Sequence, residues 1–368
     1  MTHVLTLPRD EVPAARTGCP WDEATVPWSP PSGASPDYTL PENSKVLINS
    51  DSNVGHVIVP ATSELIFADA NMELTTKSIL ILGKMRIGAA TCRTTSKSIV
   101  TLTGTASDAN ASSPLHKGIV VSGTGSISMY GALSRPSWTR LANAAASGDT
   151  IVYLQECVEW QAGDTVLLTT THAEDHRRHN KNEKATIASV ECVSQQVDGL
   201  QHSFGKVTFT ASISHGHYAN RHEYQAEVAL LTRKIVIRGD ASSPPTDPQP
   251  PDIFCSDNKR TDIPCHNYYL TGHGGHFMVE GNGVAEISSV EFTRMGRTNQ
   301  IGRYPVHLHM LGSGGKNSFV KDCAVHVRPL CSFPHALRYP RIHNLVALLP
   351  CSSCETRIPG GGLVLLRY

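Results

Sequence analysis

The chain has 368 residues, which is long enough for a sizeable hydrophobic core in one large or two ordinary domains. Its 32 basic residues balance 32 acidic residues, so the charge gives no reason to expect nucleic acid or an anionic membrane surface as the main partner. Charged residues make up only 17%, while glycine and proline are plentiful at 29 and 23 residues, a composition typical of a turn-rich β protein.

Residues 1–27 are rich in proline and show little alternation of apolar and polar residues, which predicts an irregular leader. The first residues lack an apolar stretch long enough for a signal peptide, and no apolar run approaches the length of a membrane span. Either the protein is cytosolic or the sequence has lost its true start. The ten cysteines favour the second interpretation, because they suit disulfides in an oxidising compartment.

From Lys45 onward, short apolar runs follow at close intervals: KVLI, HVIV and ELIFAD. Each run has the length of a strand and is too short for a helix. In residues 78–88, 121–131 and 234–239 the alternation meets a glycine that turns the chain. Short strands with glycine corners and no intervening helices suit the coils of a parallel β-helix. A β-sandwich gives the same local signals, so the alternation alone leaves both folds open.

The segment after residue 146 is more polar. Asp149 and Asp164 each follow a glycine, and these Gly-Asp pairs predict turns that precede the strands IVYLQE and VLLTTT. The loop after Thr171 is charged and rich in histidine. Such loops carry function more often than cores do, yet most charge runs are simply solvated.

Cysteine spacing and one sequon add weaker signals. Cys255 and Cys265 flank a polar excursion that a disulfide between them would close. Cys351 and Cys354 form a single CxxC without the second pair that a zinc site needs. Asn110 begins the sequon Asn-Ala-Ser, which predicts a glycosylation site and is modest evidence for secretion.

Eight blocks occur in a fixed order along the chain, and an ordered set is more specific than any single block. The blocks are SILILGKMRIG, SWTRL, SGDTIVYLQECVEWQAGDTVLLTTT, NEKATI, AEVALLTRKIVIRG, GGH, GRYPVHLHMLG and VKDCAVH. Together they resemble the G8-domain family of β-helix surface proteins, which includes fibrocystin-L, the cell-surface hyaluronidase and the cell-migration-inducing hyaluronan-binding protein.

The resemblance implies an all-β chain: a right-handed parallel β-helix with an N-terminal G8 domain over residues 28–145 and a further β-helix region over residues 146–326. It also implies an extracellular or cell-surface location. Some family members bind or depolymerise hyaluronan, whereas fibrocystin-L-like members are receptor-type surface proteins. The blocks SWTRL and NEKATI are closer to the fibrocystin-L side, which favours binding or adhesion over catalysis.

The sequence departs from the family pattern after His326. Prolines interrupt every candidate strand in residues 327–368, which indicates a shifted reading frame or a retained intron. Translation of the genomic DNA in the other two frames tests this interpretation. If this interpretation holds, the CxxC spacing of Cys351 and Cys354 has no functional significance.

The block GRYPVHLHMLG sets His307 and His309 two residues apart, and on a strand this spacing points both imidazoles to the same face. Histidine acts as a base near neutral pH or binds a divalent cation, for which calcium is the candidate. The pair is therefore the candidate catalytic and metal-binding site, together with Arg303 and Asp322. In a purely structural alternative, the imidazoles form a ladder with histidines of adjacent coils.

Three functions stay open. A depolymerase needs two carboxylates for hydrolysis, or a base and a cation for elimination, and no spacing here forces a carboxylate pair. A noncatalytic module would instead bind a polysaccharide such as hyaluronan along the flank of the β-helix. A truncated product with an open sheet edge and no stable activity is the third reading. The candidate substrate-binding residues are Arg177, Arg178, Lys181, Lys184 and His326.

Overall fold

The computed structural model describes residues 16–172, 181–197, 200–221, 224–244, 272–297, 300–326, 341–343, 345–349 and 363–367. Within these residues the chain forms three parallel sheets, one antiparallel sheet and short 3-10 helices at Pro20–Glu23 and Gly312–Asn317. The described residues contain no α-helix, as the composition and the short apolar runs predict.

Each parallel sheet takes one strand from each successive coil. Sheet one contains Val26–Pro27, Lys45–Ile48, Glu64–Phe67, Lys84–Ile87, Ser126–Tyr130, Val284–Ser288, Phe319–Lys321 and Arg341–His343. Sheet two contains Ser52–Asn53, Met72–Thr76, Ser98–Leu102, Ile235–Gly239, Val290–Thr293, Ala324–His326, Leu345–Leu349 and Leu363–Arg367. Sheet three contains Tyr38–Thr39, His56–Val59, Ser78–Ile81, Gly118–Val121, His276–Glu280 and His307–His309.

The chain visits these sheets in rotation. Lys84–Ile87 lies in sheet one, Ser98–Leu102 in sheet two, and Gly118–Val121 in sheet three before the chain returns to sheet one. Every strand pairs in parallel with the strands of the neighbouring coils. This arrangement confirms the parallel β-helix and excludes the β-sandwich.

Inward side chains stack in columns because the coils pair in register. One column in sheet three is entirely apolar, and each of its members is at most 6% exposed. It contains Val59, Ile81, Val121, Val279 and Leu308. Burial of each such side chain contributes about 1.5–3 kcal/mol, so every coil is stabilised by the coils on either side.

Glycine at two corners allows the coils to stack this closely. A Cβ at Gly83 would lie 2.1 Å from the carbonyl oxygen of Pro60, and a Cβ at Gly125 would lie 2.3 Å from that of Ile81. No side chain fits between backbones at these distances, which is the physical basis of the glycine-punctuated repeat.

A six-stranded antiparallel sheet, here called the insert, interrupts the β-helix between Tyr130 and Ile235. Its strands are Trp138–Arg140, Glu227–Leu230, Thr165–Leu168, Glu183–Val197, Leu200–Phe209 and Ile151–Leu154. The coils before and after it still pair directly, since Ser98–Leu102 lies beside Ile235–Gly239. The sequence predicted β-helix over residues 146–326 and did not anticipate this sheet, because alternating strands look alike in parallel and antiparallel pairing.

The insert has its own apolar core and also packs on the β-helix. Leu154, Trp160, Val166 and Phe209 are among its buried core residues. A separate small cluster joins the insert to sheet two of the β-helix. This cluster contains Leu167, Ala229, Leu231 and Ala324, with Trp138 packed against it.

The described residues contain two disulfides, Cys19–Cys92 and Cys157–Cys192. They confirm that cysteines of this chain pair as disulfides, one within the N-terminal coils and one within the insert. The predictions for Cys255, Cys265, Cys351 and Cys354 fall outside the described residues.

In the tail, Arg341–His343 extends sheet one, while Leu345–Leu349 and Leu363–Arg367 extend sheet two. The sequence predicted no strand there because of its prolines. The structure corrects this for the three segments, which contain no proline of their own.

We expect Gly83→Ala to lower the free energy of unfolding by about 1–3 kcal/mol, because the new methyl group meets two carbonyl oxygens. Gly216→Ala is the control, since its Cβ would lie 3.7 Å from the nearest carbonyl oxygen. Urea unfolding of both variants measures the difference. Equal stability of the two variants would contradict the role given to Gly83.

Removal of the Cys19–Cys92 disulfide by a double Cys→Ser substitution should destabilise the chain by about 4 kcal/mol, because the bond closes a long loop in the unfolded state. The two cysteines are 73 residues apart in sequence. Unfolding of the oxidised parent and the variant in guanidinium chloride gives the value. Identical unfolding midpoints would show that the bond does not constrain the unfolded chain.

Candidate functional site

Three connections from sheet two to sheet three lie at the same corner of successive coils. They follow Leu102, Gly239 and Thr293, and each leads into the next strand of sheet three. Coils in register stack at about the spacing of paired strands, so residues far apart in sequence become neighbours at this corner. We call the resulting group the histidine corner. It contains His116, His273, His276, His307, Arg297 and Arg303.

His116 is at the centre of a hydrogen-bonded chain across the three coils. Its Nε2 lies 2.8 Å from an Asp108 carboxylate oxygen, and its Nδ1 lies 3.4 Å from His273 Nε2. Arg297 Nη2 donates to His116 Nδ1 at 3.1 Å and also to the backbone oxygen of His116. A guanidinium only donates, so Nδ1 accepts and Nε2 carries the proton that Asp108 accepts.

A buried ion pair fixes the first two connections to one another. Lys117 is fully buried, and its Nζ donates to Asp240 Oδ1 and to the Gly104 oxygen, each at 2.8 Å. Burial raises the pKa of Asp240, but hydrogen bonds from Lys117 and Ser242 more than offset this and hold it below its usual range. The Asp240 carboxylate therefore neutralises the charge of the Lys117 ammonium group, and Lys117 adds little positive charge to the corner.

His276 is fully buried beside a glycine that leaves room for its ring. A Cβ at Gly118 would lie 2.3 Å from His276 Cε1, so only glycine fits at that position. His276 Nε2 donates to the Pro114 oxygen at 2.9 Å. Among the described residues, its Nδ1 has no hydrogen-bond partner.

His307 and His309 point to the same outer face of sheet three, as the spacing predicts. Their ring centroids are 5.0 Å apart, and the His307 ring also packs edge-on against Tyr304 at 4.9 Å. His307 is buried, whereas His309 and Tyr304 are partly exposed. The cross-strand neighbours of the two histidines are Met278 and Glu280, so the predicted ladder of histidines does not form here.

Burial keeps the imidazoles of His273 and His276 uncharged at neutral pH. Burial, together with the positive charge of Arg297, lowers the pKa of His273 and of His276 from 6.5 to about 3. Burial likewise lowers the pKa of His116 and of His307. An uncharged imidazole offers a lone pair, which is the form needed for a base or a hydrogen-bond acceptor.

The two arginines supply the positive charge of the corner that no buried ion pair neutralises. Arg297 is buried and donates to the oxygens of Ala111 and Gly274. Arg303 is partly exposed and donates to the Ser112 oxygen at 3.3 Å. In the described part of the chain neither guanidinium forms an ion pair with a carboxylate. Burial lowers the pKa of Arg297 to about 10, so both remain charged at neutral pH.

Asp322 and His326 lie elsewhere, beside the insert. Asp322 occupies a left-handed corner with φ of 55°, and its backbone oxygen accepts from the buried Arg233 at 2.8 Å. His326 Nε2 lies 3.0 Å from Glu291 Oε1, and its Nδ1 lies 3.4 Å from Lys184 Nζ. The structure therefore divides the predicted site residues into two groups, with Arg303, His307 and His309 at sheet three and Asp322 and His326 beside the insert.

The remaining predicted positions are scattered. Arg177 and Arg178 lie outside the described residues. Lys181 Nζ lies 3.1 Å from His172 Nδ1 on the insert. Asn110 is exposed on the first connection, next to the residues that Arg297 and Arg303 hold.

The sequence did not identify Asp108, His116, His273 or Arg297 as site residues. The signal that could have found them is their position, because each lies in a connection from a strand of sheet two to the next strand of sheet three. Within the described residues, no group of three or more His, Cys, Asp or Glu side chains is arranged to hold a metal ion. Binding of calcium at His307 and His309 stays a prediction.

No helix in the described part of the chain is long and apolar enough to cross a membrane. In comparisons with known proteins, a family model for the G8 domain matches residues 20–142, and one for the CEMIP β-helix matches residues 272–329. A bacteriophage tailspike in complex with Acinetobacter baumannii capsular saccharide aligns with 83% of this chain and 41% of the tailspike, at 11% identity and a TM-score of 0.23.

Two relatives illustrate the match in sequence. A G8 domain-containing protein of Dictyostelium discoideum is 34% identical over 88% of this chain and 22% of the relative. Human fibrocystin-L is 29% identical over 81% of this chain and 7% of the relative. The chain thus spans only a small part of the length of these relatives. The two family models and the alignments along most of the chain show that it belongs to the G8-domain family of β-helix proteins.

Proposed function

We propose that this chain is the glycan-binding part of an extracellular or cell-surface protein, and that the histidine corner binds an acidic polysaccharide such as hyaluronan. The observation that carries the proposal is the pair of guanidiniums, Arg297 and Arg303, without a carboxylate partner among the described residues. A uronate carboxylate is the planar anion that a guanidinium binds best.

The accessible groups at the corner suit a sugar chain. Arg303 and Tyr304, near the end of the last of the three connections, and His309, on the strand that follows, are partly exposed. Arg303 would bind the carboxylate, while the Tyr304 ring and the His309 nitrogens would contact sugar faces and hydroxyl groups. Arg297 lies behind them and contributes positive potential rather than direct contact, because it is only 4% exposed.

The proposed location outside the cell rests on two features. Two disulfides form in the described residues, and stable disulfides are typical of an oxidising compartment. The exposed sequon at Asn110 is accessible to glycosylation. Both features suit a receptor-type or adhesive surface protein.

A depolymerase is the second candidate function, and the arrangement of two histidines beside an arginine favours it. Elimination at a uronate needs an uncharged base beside a cation that neutralises the substrate carboxylate. His307 and His309 could supply the base and Arg303 the cation. Hydrolysis by two carboxylates has less support, because Asp108 and Asp240 are each engaged by an imidazole or an ammonium group.

Arg303→Ala should weaken binding of hyaluronan by roughly tenfold, because a charge-assisted hydrogen bond to the uronate is lost. Arg303→Lys should retain part of the affinity. Lys84→Ala is the control, since it removes one positive charge from the exposed face of sheet one. Isothermal titration with size-defined hyaluronan measures the affinity, and equal losses in the alanine variants at residues 303 and 84 would refute binding at this corner.

Incubation of the parent chain with long hyaluronan distinguishes the two candidate functions. A binding module retains the polysaccharide without shortening it. If the chain is a depolymerase, shortening should cease in His309→Gln and His307→Gln while binding persists, because the base is lost and the cation stays. Size-exclusion chromatography with light scattering follows chain length. Shortening that survives in both variants would exclude these histidines as the base.

Stability should fall as the pH is lowered from 6.5 toward 5. In this window the unfolded chain protonates His273 and His276 while the folded chain does not, since the folded pKa of each is about 3. Each histidine therefore contributes a slope that rises from about half of its full value at pH 6.5 to about 1.4 kcal/mol per pH unit near pH 5, with stability higher at higher pH. His273→Gln should reduce the slope by this amount in urea unfolding at a series of pH values. An unchanged slope would mean that His273 is protonated in the folded chain.

A further inference from the structure

The insert carries an open groove of about 560 Å³ that the proposed function does not use. A volume of this size lies within the range of small-ligand sites. The residues that line it are Ala144, Ala145, Thr171, His172, Gly216, His217, Tyr218, Arg221 and Tyr224. All of them belong to the insert, whereas the histidine corner is built from the coils of the β-helix.

Two tyrosine rings provide the apolar surface of the groove. The rings of Tyr218 and Tyr224 have centroids 5.6 Å apart and planes inclined by 42°. Tyr224 OH donates to the Thr171 oxygen at 2.5 Å, yet Tyr224 as a residue remains 48% exposed. An aromatic ring that is fixed in position and still exposed is a preformed surface for a ligand.

The floor of the groove is rigid. The His217 ring is buried, with Nδ1 2.8 Å from the Thr169 oxygen and Nε2 2.8 Å from Glu183 Oε1. Glu183 also accepts from the backbone nitrogens of Ser214 and His215 at 2.7 and 3.0 Å. These bonds hold the backbone on both sides of Gly216 in place, so a ligand would meet little mobile structure.

Among the described residues that line the groove, Arg221 carries the permanent charge. Arg221 is exposed at the rim, and its backbone forms an isolated antiparallel bridge with Tyr224, which brings guanidinium and ring to one turn. Lys181 Nζ lies against His172 Nδ1 at 3.1 Å beside the groove. The described residues that line the groove include no carboxylate. An anionic ligand with a flat apolar face fits this combination of cation and aromatic rings.

We propose that the groove is a second subsite for a uronate-bearing polysaccharide, with one pyranose face against Tyr224 and Tyr218 and the uronate carboxylate on Arg221. The ligand class rests on the proposed function, but the side chains are different from those of the histidine corner. A chain with two such subsites engages a long polymer at two places, which raises its avidity without changing either contact.

The test uses the full chain and a defined hyaluronan oligosaccharide in isothermal titration. Tyr224→Ala should weaken binding about tenfold, because the stacking surface is removed. Tyr224→Phe should bind nearly as well as the parent, since it keeps the ring and loses only the bond to Thr171. Arg221→Gln should remove the preference for the hyaluronan oligosaccharide over an uncharged oligomer of N-acetylglucosamine. Thermal unfolding of each variant separates loss of binding from loss of fold.

The outcomes separate this inference from the proposed function. Weakening by Tyr224→Ala and Arg221→Gln supports the groove, whether or not Arg303→Ala weakens binding too. If Arg303→Ala weakens binding and folded Tyr224→Ala and Arg221→Gln do not, the groove proposal is overturned and the histidine corner stands. Equal weakening by Tyr224→Phe and Tyr224→Ala would also overturn it, as would a parent chain that binds no oligosaccharide.

Discussion

The in-register pairing of each coil with the next is the constraint on which the rest of the structure depends. It aligns inward side chains in columns such as the one from Val59 to Leu308, and it brings the carbonyl of Pro60 against Gly83. Because the register repeats, connections between corresponding strands also coincide. The histidine corner is a consequence of this repetition, since its residues come from three connections that are distant in sequence.

The insert does not disturb the register of the coils. The chain leaves the β-helix after Tyr130 and returns to it at Ile235, at the same place, so the coils before and after the insert still pair. The buried Arg233 lies at the point of re-entry, where its Nη1 donates to the Leu230 oxygen and its Nε to the Asp322 oxygen. These bonds tie the last strand of the insert to a corner of sheet two. Lys184 and His326 make a second polar contact between the insert and sheet two. The insert is therefore fixed to the β-helix by polar contacts as well as by its small apolar cluster.

Burial determines the chemistry of the histidine corner. Water is excluded from His273 and His276, so their rings stay uncharged, whereas Arg297 is held by carbonyl oxygens and keeps its charge. The difference follows from the intrinsic pKa values, because desolvation that neutralises an imidazole at neutral pH is too small to deprotonate a guanidinium. The corner thus combines uncharged imidazoles with fixed positive charge.

The sequence by itself determined the all-β class, the glycine corners and the shared face of His307 and His309, because these depend on local geometry: strand alternation and the space beside a glycine. Only the tertiary structure decided which strands pair. It placed His116 between Asp108 and Arg297, separated Asp322 and His326 from them, and showed that the strands from Trp138 to Leu230 pair antiparallel. The physical reason is that strand pairing and the stacking of connections join residues that are distant in sequence. The alternation of apolar and polar residues in a strand does not specify which strand it pairs with.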